Sequence, residues 1–190
     1  SARFEANVVA KYDFSEGTGI IAKDSSGVAP LMDRTLTNAD WIPGGGIVLK
    51  GGNSNAIAGQ TESKKLFDKI AATGATGAYT IEAWITPGNI TQTGPSRIIS
   101  YSISPSNRNF MMGQVIDAYG FRNRSSSVPD VNGNPILSTV AGKVTTTLQH
   151  VVMTFDQTSG RKIYVNGVES VYDNAGVSVD ADPQGPGTLS

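Results

Sequence analysis

Few side chains in this sequence have the chemistry for catalysis. It has one histidine, His150, and no cysteine. A Cys nucleophile, a thiolate metal site and a disulfide framework are therefore excluded, and any Ser–His–acid triad would rest on His150 alone. His150 stands in an apolar run beside Val151, where a structural sheet residue is the simpler reading. Glycoside hydrolysis generally needs two carboxylates at a set separation, and the alternating stretch Thr80–Trp84 offers only Glu82. These residues point to a protein that is not an enzyme.

Binding chemistry is better represented. Sugar sites combine aromatic faces with planar polar side chains, and Arg108, Asn109, Gln114, Tyr119, Arg122 and Arg124 cluster in one predicted hairpin. Arg122 and Arg124 share a face at period two and suit an anion or a sugar acid. The alternative is an ordinary solvated sheet face. Hard cations take oxygen ligands from carboxylates and turn carbonyls. Asp24, with Asp13 and Glu16 nearby in sequence, offers a weak calcium site, and the alternative is an Asx turn in which Asp24 bonds its own backbone amides. Trp41 and Trp84 have the faces to stack on sugars, but tryptophan more often fills cores. Trp84, with apolar neighbours, is expected in the core. Glu82 on the same strand face then needs an arginine or a backbone amide as partner.

The elements that must hold these residues are short strands. The chain has 190 residues, a 38% hydrophobic and a 16% charged fraction, which suits a single β domain over 1–190 with a real core. A net charge of −1 gives no basic face for nucleic acid. No apolar run approaches the about 20 residues of a membrane helix, so no membrane insertion is expected. Strands are predicted at Asn7–Phe14, Ile20–Lys23, Leu31–Leu36, Ile47–Leu49, Ala78–Thr86 and Arg97–Ile103. Phe110–Val115 and Tyr119–Asn123 form a hairpin around Asp117. Ile136–Val140 and Lys143–Thr147 are weaker extended candidates. His150–Asp156, Arg161–Val165 and Val168–Tyr172 follow, with Asn166-Gly167 as a tight turn requiring positive φ. Ser125–Pro135 and the tail Asp180–Ser190 read as loops. The one helical candidate is Ser63–Ala72, capped by Ser63 and ended by Gly74, with Leu66, Phe67, Ile70 and Ala71 on one face. Strands at this spacing predict an all-β antiparallel sandwich with one short helix near residues 63–72.

Four segments together resemble the laminin-G-like jelly-roll domains of the concanavalin A-like lectin/glucanase superfamily: VAKYDFSEGTGIIAKDSSG from Val9 to Gly27, YTIEAWITP from Tyr79 to Pro87, RNFMMGQ from Arg108 to Gln114, and LQHVVMTFDQTSGRKIYVNGVE from Leu148 to Glu169. The resemblance implies a secreted or cell-surface recognition module whose partner is a glycan or a cell-surface or matrix component. It also implies a structural calcium ion beside the Asp24-Ser25-Ser26-Gly27 turn. Laminarinase-type relatives carry an E-x-D-x-E strand, and no such triplet occurs here. The family closes its sandwich with further C-terminal strands and an acidic Tyr-Asp segment, which are missing before Ser190. Truncation, a neighbouring chain or the residues before Asn7 would account for that. An open sheet edge suits strand exchange, so the alternative reading is an assembly subunit, a homo-oligomer completed by its neighbour.

Overall fold

The computed structural model describes residues 5–72, 77–125, 130–174 and 187–190. Among the described residues strand predominates, in antiparallel sheets with one helix, so the fold is mostly β. It divides into two compact units, Ser1–Lys69 with Pro186–Ser190, and Ile70–Gly185.

The first unit is built from short strands: β1 (Ile21–Ala22), β2 (Arg34–Thr37), β3 (Ala39–Trp41), β4 (Ile47–Leu49) and β5 (Asn55–Ile57). β2 pairs with β1 on one side and with β5 on the other, and β3 pairs with β4. Alternation along β2 turns Leu36 inward onto Ala22 and Ala56, and Phe14, Ala39, Trp41 and Ile47 pack against them. The β3–β4 connection needs Gly44, Gly45 and Gly46, whose φ angles of 89°, 113° and 115° lie in the region side chains avoid.

Two expectations fail in this unit. Residues 8–14 join no ladder, because their polar groups are engaged elsewhere. The Lys11 amide donates to Asp24 Oδ1 at 3.1 Å, while the Lys11 and Phe14 carbonyls accept from the Ser25 and Gly46 amides. The helix α1 (Gln60–Ala72) begins before Ser63, which is therefore not its cap. The Gly59 carbonyl takes the Ser63 amide, and glycine at that position tolerates the non-helical turn. The Ser63 hydroxyl instead donates to the Ala58 carbonyl and accepts the Leu189 amide at 3.2 Å. The expected stop at Gly74 lies outside the described residues.

The second unit is a two-sheet sandwich. Its strands are β6 (Tyr79–Ile85), β7 (Ser96–Ser102), β8 (Arg108–Val115), β9 (Ala118–Asn123), β10 (Leu137–Ser138), β11 (Gln149–Asp156), β12 (Gly160–Val165) and β13 (Val168–Asp173). One sheet runs β10-β9-β8-β7 and the other β13-β12-β11-β6. Period-two alternation turns Phe110, Met112 and Phe121 inward from one sheet. Ile81, Val151, Met153, Phe155 and Ile163 face them from the other, and all are buried. Tyr79 joins the layers, its ring 5.2 Å from Phe110 and 5.8 Å from Phe155. The predicted hairpins form as β8–β9, β11–β12 and β12–β13, with Ile116 (φ 56°) and Asn166-Gly167 (φ 52° and 80°) making left-handed turns in the first and last.

Residues 143–147 do not extend a sheet. The Gln149 side chain holds them, accepting the Thr145 amide and donating to the Lys143 carbonyl, each at 2.9 Å. The tail is not wholly loop either: Thr188–Leu189 forms β14 in the first unit, where the Ala58 amide donates to the Leu189 carbonyl at 2.9 Å. Residues 126–129 and 175–186 lie outside the described residues.

Candidate functional site

The predicted hairpin residues are held largely inside the sandwich. Tyr119 is fully buried and donates to Gln149 Oε1 at 2.7 Å, and burial pushes its phenol pKa up to about 12. Gln114 is buried, and its amide donates to the Asn89 and Ile116 carbonyls, each at 2.7 Å. Arg108 and Asn109 are buried too. Burial, then the charges of Arg97 and Arg122, lowers the Arg108 pKa. Arg122 and Arg124 are half-buried on either side of buried Asn123. Arg122 Nη1 donates to Asn134 Oδ1, in a turn where Asp130 Oδ1 collects the Asn132 and Asn134 amides. The hairpin thus brings five of these residues into β8 and β9, with Arg124 just past the end of β9, but its inward positions serve packing.

The three carboxylates considered for calcium diverge. Asp24 is buried with all its acceptor capacity in use: Oδ1 takes the Lys11 and Ser26 amides, and Oδ2 takes the Met32 amide and Lys65 Nζ at 2.5 Å. The Ser26 contact is the Asx turn. Burial raises the Asp24 pKa, but hydrogen bonds from Lys65, Ser26 and Met32 outweigh it and leave the carboxyl below its ordinary value. Asp13 Oδ2 accepts the Ser25 hydroxyl and Glu16 Oε1 the Lys23 amide. An ammonium group already sits where a cation would bind Asp24, so this donor set does not fit calcium. Among the described residues no cluster of three or more metal-ligating side chains occurs.

A different constellation stands on the outer face of the β13-β12-β11-β6 sheet. Alternation along β6 sends Tyr79, Ile81 and Ala83 inward and Thr80, Glu82 and Trp84 outward. Trp84 is 63% exposed, which corrects the expectation of a core tryptophan. Its apolar sequence neighbours Ala83 and Ile85 belong to the opposite face. Register places His150 of β11 directly across from Trp84, and the two rings stack with centroids 4.5 Å apart and planes 21° from parallel. His150 Nε2 lies 2.9 Å from Glu82 Oε1, so the partner that Glu82 was expected to need is the histidine. Further across the face, Tyr164 donates to Glu169, which also pairs with Lys162 at 3.2 Å. The Glu169 hydrogen bond raises the Lys162 pKa and keeps it charged.

The stacked pair presents an indole plane to solvent beside a carboxylate and an imidazole whose orientations are set. Apolar stacking with adjacent hydrogen-bonding groups is the chemistry of a binding surface for a ring with an apolar face and polar edges. The apolar residues flanking Trp84 suggest a core position, but in a strand they belong to the opposite face. The period-two set Thr80, Glu82 and Trp84 is the signal that identifies the outer face. The pairing of Trp84 with His150 had no local signal, since 66 positions of chain separate them.

The second unit is thus a two-layer antiparallel sandwich with a polar, aromatic outer face. The chain belongs to the concanavalin A-like lectin/glucanases superfamily, whose laminin G-type family model matches residues 58–186. No curated protein matches the chain in sequence. Among solved structures it is similar to the botulinum neurotoxin serotype G binding domain, with a TM-score of 0.60 at 13% identity over 96% of this chain and 42% of that one. It is also similar to the binding domain of botulinum neurotoxin DC in complex with rat synaptotagmin II (TM-score 0.60, 15% identity, 95% of this chain and 42% of that one). The same domain in complex with SialylT gives a TM-score of 0.58 at 14% identity, over 97% of this chain and 43% of that one. The chain thus spans less than half the length of these structures, and at such identities the likeness shows the fold alone.

Proposed function

We propose that this chain is a non-catalytic recognition module that binds carbohydrate on a cell surface or matrix outside the cell, through the face centred on Trp84. The observation that carries the reading is the exposed indole of Trp84, stacked on His150 and flanked by Glu82. An apolar plane of this size is costly to leave in water, and the ordered polar groups at its edge match the hydroxyls of a pyranose. Membership of a lectin-containing superfamily supports the reading. So do structural neighbours described in complex with SialylT and with a synaptotagmin, although less than half of each is matched. The non-catalytic assignment rests on Glu82, a carboxylate tied to His150 with no second acid on β6 to work with it. The Asp24 turn takes no part, because its oxygens are filled by protein donors.

A glycan array probed with the wild-type chain and with Trp84→Ala, each with and without a calcium chelator, tests this. Wild-type binding to a defined set of glycans, unaffected by chelation and lost in Trp84→Ala, is the expected result. Absence of glycan binding by the wild type, or equal binding by the variant, would sink it.

A further inference from the structure

The outer face carries more aromatic surface than one sugar needs, and its arrangement has a direction. Trp84 lies on β6, across from His150. Two residues along β11, Val152 pairs with Glu82 on one side and with Tyr164 of β12 on the other. Two residues further, Thr154 pairs with Lys162, and Lys162 pairs with Tyr172 of β13. Tyr164 is therefore two strands across and two residues along from Trp84. Tyr172 is one strand and two residues further. At about 4.8 Å between strands and about 3.3 Å per residue, the steps are about 12 Å and about 8 Å, so the three rings mark a diagonal of about 20 Å. Tyr172 is 62% exposed and Tyr164 half-buried.

Polar groups alternate with the rings. Glu82 and His150 lie beside Trp84, Glu169 beside Tyr164, and Lys162 beside Tyr172. Two carboxylates stand against one ammonium, and that ammonium is engaged by Glu169. Such a surface repels anionic polymers and offers an uncharged chain both donors and acceptors. Among the described strands, β6 and β13 are the first and last of this sheet, so the diagonal crosses it from side to side and needs no chain end.

We propose that this face is an extended platform for the interior of an uncharged polysaccharide chain, with Trp84, Tyr164 and Tyr172 stacking on separate sugar rings spaced along it. This rests on the carbohydrate reading above and adds the class of ligand to it. The span exceeds any mono- or disaccharide, so a terminal sugar would use only the Trp84 end.

The experiment is calorimetric titration of the full chain with cello-, xylo-, laminari- and chito-oligosaccharides, from the monosaccharide to the hexasaccharide. In the series that binds, affinity is expected to rise about tenfold between the disaccharide and the longer oligomers and then level off, as one or two added aromatic contacts would give. Tyr172→Ala is expected to reduce that gain, lowering the ratio of long-oligomer to disaccharide affinity. Affinity for the long oligomers is expected to be the same in low and high salt. Length-independent binding, with Tyr172→Ala indistinguishable from wild type, would overturn the platform and leave the carbohydrate reading standing. Binding confined to anionic glycans, falling steeply with salt, would overturn the uncharged class. No binding to any glycan in these series or on the array would overturn both. Tyr172 is exposed, so circular dichroism and urea unfolding of the variant are expected to match wild type.

Discussion

Replacing Lys65 by Met removes the cation from a buried ion pair and leaves most of the surrounding packing. Asp24 then keeps three amide donors, from Lys11, Ser26 and Met32. It loses the ammonium at 2.5 Å, and the Val28 carbonyl loses its Lys65 donor at 2.8 Å. Removing one partner of a buried pair costs about 3–5 kcal/mol. The three remaining amides place this case at the lower end, about 3 kcal/mol, a large share of the about 5–15 kcal/mol that holds a domain together. The cost depends on pH in a definite sense. The folded-state carboxyl of Asp24 is held below its ordinary value, so its stabilisation is complete above the unfolded-state pKa and is lost as pH falls through the folded one. Without Lys65, burial dominates and Asp24 takes up a proton more readily, so the gap between wild type and variant narrows as pH falls through the carboxylate range. Trp41 lies in the same unit and is one of two tryptophans. Urea unfolding followed by fluorescence in a Trp84→Ala background therefore reads this unit through Trp41. A loss under about 1 kcal/mol at neutral pH, where a buried pair costs several times that, or a gap unchanged down to about pH 3, would refute the reasoning. Calcium that stabilised the wild type by acting at Asp24 would refute it equally.

Three further outcomes are expected. Trp84→Ala changes stability by no more than about 0.5 kcal/mol, because the ring is mostly in solvent, and urea unfolding checks that its binding defect is local. Tyr119→Phe leaves Gln149 Oε1 with the Thr145 amide and costs about 1 kcal/mol, the net worth of one buried hydrogen bond, read as a shift in the urea midpoint. Gly160→Ala places a methyl group at φ 71° and against the Asp173 carbonyl, so it destabilises by more than the about 1 kcal/mol that an unstrained glycine-to-alanine change gains; a drop in thermal midpoint measures it.

Much of the sandwich was legible because its signal is local. Gln149–Asp156 alternates between buried and half-buried residue by residue, and in Tyr79–Ile85 the residues most exposed, Thr80 and Trp84, fall on one face. Asn166-Gly167 announced its turn through the positive φ it can adopt. The N-terminal run misled because β-rich composition does not supply a partner strand, and its amides and carbonyls found a side chain and turns. Trp84 misled because neighbouring residues in a strand occupy opposite faces.

The amino-acid sequence by itself determined the fold class, the main hairpins and the absence of thiol chemistry, all properties of residue type and short-range period. The tertiary structure decided what the polar residues do. Tyr119 is buried against Gln149 of the opposing sheet, and Gln114 is buried with its amide on the Asn89 and Ile116 carbonyls, contacts that the sequence cannot orient. Asp24 meets Lys65, 41 residues away, so an amine occupies the place open to a metal. Trp84 meets His150 through strand register alone, and the candidate site exists only because β6 pairs with β11. Register is a non-local property, set by which apolar faces bury together, and no spacing within either strand encodes it.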